Sequence, residues 1–237
     1  MKVLYKILSW LVALVLPIVI ILSVVRLVIN PLYLVFEYHT PGFPADPYGF
    51  TLQDRLNYGK LAVDYLVNSA GISFLGDQRF PAGQQTPTAT CLEMTDCTHL
   101  YNDRELQHML DVKNVVTGAM RVLEVSLVVL LVLALWAWLG KWFSTYLKGL
   151  QRGGIVTLVF IGLIIVFVLV AFEYLFVLFH EIFFKAGTWT FLYSDTLIRL
   201  FPERFWQDTF LVVGGLSALV GLIFYFGMRW ILKRQVV

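Results

Sequence analysis

Two histidines in this sequence stand where polar and apolar segments meet. His108 lies in R-E-L-Q-H-M-L-D-V-K (104–113), just before an apolar run, and His180 closes another run in F-H-E-I-F-F (179–184). Imidazole titrates near neutral pH and serves as a general acid or a general base. If the two rings converge in space, one can deprotonate a nucleophile while the other assists a leaving group. The pair is therefore the candidate for acid–base catalysis.

Charged residues accompany both histidines. Arg104 and Asp111 flank His108 at helical spacing, and Glu181 directly follows His180. A carboxylate beside an imidazole can hold one ring nitrogen and fix its tautomer. We therefore expect Asp111 to orient the His108 ring.

A further charged pair lies closer to the C-terminus. Asp195 and Arg199 are one helical turn apart in the segment 185–208. A surface ion pair of this kind contributes only ~0–1 kcal/mol. A structural role and a role in function both stay open.

Four ionisable residues fall inside apolar runs: Arg26, Arg121, Glu124 and Glu173. A charged side chain at such depth in a membrane costs ~2.5–3.5 kcal/mol or more, so it usually pairs or lines a cavity. Two acids balance two bases here. We expect an intramembrane polar network, either structural or involved in function.

The elements that must position these residues are membrane-spanning helices. Of the 237 residues, 59% are hydrophobic and 14% are charged, whereas soluble domains carry about 25% charged residues. Runs this long and apolar can cross a bilayer as helices. The predicted spans are 7–29, 115–139, 154–183 and 209–228 in one integral membrane domain, 1–237, with outer segments at 30–114 and 185–208.

Basic residues set the predicted orientation. The short segments 1–6, 141–153 and 228–237 carry basic charges and no acidic ones: Lys2, Lys6, Lys141, Lys148, Arg152, Arg229, Lys233 and Arg234. Positive segments stay in the cytoplasm. The sequence thus predicts an all-α membrane protein of four transmembrane helices, with both termini cytoplasmic and a large extracellular insertion between helices 1 and 2.

Within that insertion, two patterns are typical of helix starts. Thr51 followed by Asp54, and Asn102 followed by Glu105, have the spacing of a capping box. No helix breaker separates the second pattern from the apolar run at 115–139. We therefore expect the helix that carries His108 to continue into the second span.

Both cysteines, Cys91 and Cys97, lie in the predicted extracellular insertion. A disulfide is permitted outside the cytoplasm, and free thiols are the open alternative. The spacing with nearby His99 is a weak metal pattern, and no metal site is predicted.

Taken together, these segments resemble the bacterial lipoprotein intramolecular transacylases. The resemblance rests on residues 104–113 and 179–184, on W-T-F at 189–191 and on D-T-L-I-R-L-F-P-E-R-F-W at 195–206. It implies an enzyme of the bacterial cell membrane that moves the sn-2 acyl chain of a diacylglyceryl lipoprotein to the α-amine of its N-terminal cysteine. It also implies catalysis by His108 and His180 at the extracellular leaflet, and no cofactor. In that reaction Asp111 and Glu181 would orient the rings, Arg104 or a backbone N–H would stabilise the oxyanion, and Asp195 and Arg199 would shape the outer lid. The expected partners are the lipoprotein N-terminus and membrane lipids, and no nucleic acid.

Two other functions are compatible with the residues alone. A scaffold or sensor would use the insertion to bind a partner, with the histidines dispensable. A small proton-coupled carrier would instead depend on Glu124 and Glu173 as proton relays.

Overall fold

The computed structural model describes residues 2–234, and these form helices joined by connections of two to thirteen residues. In chain order they are α1 (Lys2–Val28), α2 (Pro31–Tyr38), α3 (Leu52–Val67), α4 (Ser73–Gly76), α5 (Thr88–Cys91), α6 (Asp103–Leu139), α7 (Phe143–Phe183), α8 (Thr196–Leu200) and α9 (Glu203–Arg234). Over the same residues β-structure is limited to one isolated antiparallel bridge, between Arg79 and His99. Residues 1 and 235–237 of the predicted cytoplasmic termini lie outside the described residues.

Four helices, α1, α6, α7 and α9, are long and apolar enough to cross a membrane. They correspond to the four predicted spans, and each of them begins earlier than predicted. Helix α6 begins at Asp103, so the polar turn with His108 and the apolar run form one helix, as the sequence predicts. Helix α7 begins at Phe143 and α9 reaches Arg234, because polar residues continue a helix beyond its apolar part.

The chain folds as two compact units. Unit 1 comprises the described parts of Met1–Val28, Ala119–Val170 and Phe210–Val237, and unit 2 comprises Ile29–Gly118 and Ala171–Thr209. His108 and His180 both belong to unit 2.

Close helix contacts in unit 1 depend on small residues. A Cβ added at Gly149 would lie 2.6 Å from the carbonyl oxygen of Ser9 on α1, and one at Gly154 would lie 2.6 Å from the carbonyl oxygen of Gly221 on α9. Any larger residue would push these helices apart. Small residues of this kind let membrane helices approach closely.

In unit 2, short helices pack around a mixed core of aliphatic and aromatic side chains. Its largest fully buried side chains are those of Leu34, Tyr65, Leu75, Leu100 and Leu200. A Cβ on Gly59 of α3 would meet the Tyr38 hydroxyl of α2 at 2.9 Å. That hydroxyl donates to the carbonyl oxygen of Leu200 on α8, also at 2.9 Å, so it links α2 and α8 beside α3.

Both predicted capping boxes form. Thr51 and Asp54 make the reciprocal pair at the start of α3. At the start of α6, Asn102 N donates to Glu105 Oε2 at 2.9 Å, and Glu105 N donates to Asn102 Oδ1 at 2.9 Å. Satisfying these otherwise unpaired amides fixes where α6 begins, and hence where His108 lies one turn later.

The segment 71–97 contains the one-turn helices α4 and α5. Cys91 and Cys97 are joined by a disulfide with a Cα–Cα distance of 5.1 Å. The bond closes a small loop after α5, and this loop includes Glu93.

Candidate active site

The rings of His108 and His180 meet in unit 2. Their centroids are 6.1 Å apart and their planes differ by 21°. Both residues are largely buried, with relative exposures of 8% and 9%. Two imidazoles 72 residues apart in the sequence thus share one enclosed site.

The His180 ring is held by its own helix. Its Nδ1 lies 2.7 Å from the carbonyl oxygen of Phe176. Because a carbonyl oxygen only accepts hydrogen bonds, Nδ1 must carry the proton in this contact. The neutral ring then presents an unprotonated Nε2, which is the form that accepts a proton.

Glu181 was expected to orient the His180 ring, but another group holds this ring. Glu181 is exposed, and the carbonyl oxygen of Phe176 contacts His180 Nδ1 instead. The reason is helical geometry, because successive side chains on an α-helix point about 100° apart. A residue next to His180 in sequence therefore faces another way.

His108 is surrounded mainly by rings. Phe184 and Phe191 contact it edge to face, with centroid distances of 4.9 and 5.3 Å. Its Nδ1 is buried and has no hydrogen-bond partner among residues 2–234. Asp111, expected to hold this ring, accepts instead from Gln107 Nε2 at 3.0 Å.

Aromatic side chains also enclose His180. The ring centroids of Phe176 and Trp189 lie 4.1 and 4.8 Å from its own, and those of Phe179 and Phe184 lie 5.5 and 5.6 Å away. Such walls exclude water and suit apolar substrate chains.

Arg104 lies one turn before His108 on α6. Its Nη2 contacts Glu93 Oε2 at 2.6 Å and Asp195 Oδ2 at 3.4 Å, and its guanidinium carbon lies 5.9 Å from the centroid of the Phe191 ring. The Nε atom is buried without a partner among the described residues. The cationic guanidinium of Arg104 thus lies beside Phe191, one of the aromatic rings that contact His108.

Asp195 is a buried connector and does not pair with Arg199. It is 0% exposed and accepts from Thr90 Oγ1 at 2.8 Å, from Asn102 Nδ2 at 3.3 Å and from Leu192 N at 2.8 Å. It therefore ties α5, the start of α6 and the chain before α8 together.

Arg199, 4% exposed, pairs with Asp46 at 3.0 Å and stacks on Phe50, with its guanidinium carbon 3.4 Å from the ring centroid. The sequence spacing suggested a surface pair of Asp195 and Arg199. The fold buries both residues with separate partners.

The four charges predicted to form an intramembrane network all have exposed side chains: Arg26, Arg121, Glu124 and Glu173. Salt bridges within residues 2–234 involve none of Arg121, Glu124 and Glu173. The histidine site is formed without them.

Sequence reasoning missed the hydrogen-bond capacity of Trp189. Its Nε1 is buried and has no partner in the described part of the chain, as is also true of His108 Nδ1 and Arg104 Nε. In the sequence, Trp189 stood out only as part of the W-T-F segment of the family resemblance, with no hydrogen-bonding role. Nothing local in sequence predicts that its ring packs on His180. Within residues 2–234, no group of three or more His, Cys, Asp or Glu side chains is arranged to hold a metal ion.

Comparison with known proteins identifies relatives over most of the chain. The family model of the lipoprotein intramolecular transacylase Lit matches residues 10–206. An uncharacterized protein of Aquifex aeolicus (strain VF5) is 29% identical over 204 residues, covering 85% of this chain and 83% of that protein.

Solved structures share the fold. The membrane integral lipoprotein intramolecular transacylase Lit from Bacillus cereus superposes with a TM-score of 0.78 at 18% identity, covering 99% of both chains. A form of that protein with one histidine replaced by arginine gives a TM-score of 0.72 at 18% identity, covering 99% of this chain and 94% of that one. A form with the histidine replaced by alanine also gives 0.72, at 19% identity, with coverages of 99% and 96%.

The four apolar helices and the match to a membrane integral protein make this chain a multi-pass membrane protein. A family match that extends over residues 10–206 covers far more than half of the sequence. The chain belongs to the lipoprotein intramolecular transacylase Lit family, and so to a family of acyltransferases that modify lipoproteins.

Proposed function

We propose that this protein transfers the sn-2 acyl chain of a diacylglyceryl lipoprotein to the α-amine of the lipoprotein's N-terminal cysteine. The amine nitrogen attacks the ester carbonyl carbon, a C–N bond forms, and the bond to the glyceryl oxygen breaks. The proton lost by nitrogen ends on that oxygen, so the neutral amine and ester are converted to amide and alcohol without a co-reactant. An amine that enters as ammonium first releases one proton to the medium.

The observation that carries this proposal is the convergence of His108 and His180, with ring centroids 6.1 Å apart inside an aromatic enclosure. His180 is the better base, because the Phe176 carbonyl holds the proton on Nδ1 and leaves Nε2 free to accept. The imidazolium that results returns the proton to the glyceryl oxygen, and His108 stabilises that oxygen as it leaves. General acid–base catalysis of this kind contributes ~10²–10⁴-fold.

Holding amine and ester in one molecule supplies a further large part of the acceleration. Well-oriented intramolecular reactions gain ~7–11 kcal/mol over their bimolecular equivalents. Phe176, Phe184 and Trp189 pack around the two histidines and would confine the lipid so that the two ends of the reacting molecule meet. Arg104, whose guanidinium carbon lies 5.9 Å from the Phe191 ring centroid, and Asp195, which accepts from Leu192 N, then hold the neighbouring part of the enclosure in place.

The proposed topology follows from the charge distribution. Both termini lie in the cytoplasm, and the segment 30–114 and the histidine site face the extracellular leaflet. The whole chain, 1–237, acts as one integral membrane domain in the bacterial cell membrane. Its partners are the diacylglyceryl-modified N-terminus and the surrounding lipids.

The test uses membranes that contain the full chain and a synthetic diacylglyceryl lipopeptide, with the N-acyl lyso product measured by mass spectrometry. We expect His108→Ala and His180→Ala each to lose at least ~10²-fold in rate. His39→Ala is the matched control, because His39 is exposed at the end of α2 and its Nδ1 lies 2.6 Å from the carbonyl oxygen of Val35. Wild-type rates in both site variants would refute the proposal.

A further inference from the structure

The unpaired indole nitrogen of Trp189 is the least expected feature of the site. Trp189 Nε1 is buried and has no hydrogen-bond partner among residues 2–234. A buried donor left unpaired costs ~1–3 kcal/mol. The unpaired indole N–H is explained if the bound substrate supplies its hydrogen-bond acceptor.

The backbone next to Trp189 is set by a tight turn directly after α7. Phe184 N donates to the carbonyl oxygen of His180 at 2.8 Å, and Thr188 N donates to that of Lys185 at 3.2 Å. The Thr188 hydroxyl donates to the same Lys185 oxygen at 2.9 Å. Gly187 has φ 82, a left-handed conformation that glycine adopts without strain. This turn fixes the backbone from which Trp189 reaches back to His180.

The chemistry of indole narrows what the partner can be. Its N–H is a donor only, so it can bind neither the amine proton nor the N–H of another donor. The reacting part of the proposed substrate offers two acceptors, the carbonyl oxygen and the glyceryl oxygen. The carbonyl oxygen becomes negatively charged when nitrogen attacks, and a donor gains most there.

The distances that the reaction requires place the ester carbonyl oxygen near Trp189. A base must approach the proton that it removes to ~2.6–3.2 Å between heavy atoms, and reacting atoms stand ~3–3.5 Å apart before attack. An ester whose attacking amine contacts His180 Nε2 therefore lies against the His180 ring. The Trp189 ring packs on that same ring, with centroids 4.8 Å apart.

We propose that the Trp189 indole N–H donates a hydrogen bond to the ester carbonyl oxygen and stabilises the oxyanion of the tetrahedral intermediate. This inference rests on the proposed transacylation and adds a residue to it. Trp189 takes no part in proton transfer, because the indole nitrogen keeps its hydrogen throughout the reaction. The nitrogen's proton still passes to the glyceryl oxygen through His180.

The first test is Trp189→Phe in the membrane assay with the diacylglyceryl lipopeptide. Phenylalanine keeps an aromatic ring and removes the donor. We expect kcat to fall by ~10²-fold, as for loss of one oxyanion donor, with KM nearly unchanged. A structural role of the ring alone would instead raise KM or lower the amount of folded protein.

Trp142→Phe is the matched control. Trp142 Nε1 is also buried without a partner among the described residues. Its ring stacks on Tyr5 at 5.1 Å and meets Trp136 at 5.8 Å, in unit 1 and outside the aromatic enclosure of the histidines. We expect this variant to retain the wild-type kcat.

A second variant keeps the test decisive if Trp189→Phe does not fold. Incorporation of 3-benzothienylalanine at position 189 preserves the bicyclic shape and replaces N–H by sulfur. We expect the same loss of kcat with normal folding. Wild-type kcat in this variant, or a change in KM alone, overturns the role of Trp189.

The outcomes separate the two proposals. If the wild-type protein forms the N-acyl product and the position-189 variants do so equally fast, only the oxyanion role fails. If the wild-type protein forms no N-acyl product from any diacylglyceryl lipopeptide, the proposed function fails and the role of Trp189 fails with it.

Discussion

Glu105 Oε1 accepts a hydrogen bond from the backbone nitrogen of Leu197 at 2.7 Å. Its other oxygen accepts from Asn102 N at 2.9 Å, and the residue is 0% exposed. One carboxylate thereby joins the first turn of α6, which precedes His108, to α8. The position of His108 on α6 is thus linked to α8, in the C-terminal part of unit 2.

Glu105→Gln tests this linkage. Both carboxylate oxygens accept from backbone N–H groups, so the amide NH₂ of glutamine must face one of these donors. We expect the free energy of unfolding in detergent to fall by ~1–3 kcal/mol, the cost of a buried group left unpaired. Glu203→Gln is the control, because this first-turn glutamate of α9 is exposed. Equal stability of the two variants would contradict the argument.

The tautomer of His180 gives a second prediction. Since the Phe176 carbonyl oxygen accepts from His180 Nδ1 at 2.7 Å, the neutral ring should be protonated on Nδ1. Nitrogen NMR of protein labelled at histidine distinguishes the two tautomers, and His180→Ala assigns the signal. A ring protonated on Nε2 would remove the structural reason for choosing His180 as the base.

The sequence predicted the four long helices well, because their apolar runs depend on local composition alone. The start of α6 was also predictable, since Asn102 and Glu105 satisfy each other within one turn. Helix α7 begins before the predicted 154, at Phe143. Its polar first turns carry no hydropathy signal although they are helical.

Side-chain partners in the site were less predictable. The sequence offered Glu181 as the neighbour of His180, but a backbone carbonyl, absent from any residue-type pattern, holds the ring. Asp195 and Arg199 have ion-pair spacing, yet α8 buries each against residues distant in sequence. Contacts of this kind depend on the tertiary fold of unit 2, and the spacing of neighbouring residues in the sequence does not determine that fold.

Glu37 provides a prediction for pH dependence. This residue is 1% exposed on α2, and burial, together with the nearby negative charge of Asp208, raises its pKa to about 7. The folded state therefore binds a proton that the unfolded chain, with a glutamate pKa of about 4.3, has released. Stability contributed by this proton is fully present below the unfolded pKa and is lost as pH rises through about 7.

Glu37→Gln removes the titrating group and keeps the side-chain length. We expect the melting temperature of the wild-type protein in detergent to fall between pH 5 and pH 8, and that of the variant to fall less. Glu203→Gln, at an exposed position, should retain the wild-type slope. The role assigned to Glu37 fails if the two variants show the same pH dependence.

Glu124 and Glu173 distinguish transacylation from proton-coupled transport. Both side chains are exposed, and neither carboxylate forms a salt bridge among the described residues. The proposed reaction moves its proton between nitrogen, His180 and the glyceryl oxygen, so neither carboxylate takes part. We therefore expect Glu124→Gln and Glu173→Gln to form the N-acyl product at the wild-type rate, measured by mass spectrometry in the same membranes.

His180→Ala is the matched comparison for these glutamine variants, because it removes a group that the reaction requires. A carrier that relays protons through carboxylates would form no N-acyl product, and its transport would be lost in both glutamine variants and kept in the histidine variant. Because the two imidazoles carry out the reaction, transacylation is predicted to require His180 and not to require Glu124 or Glu173.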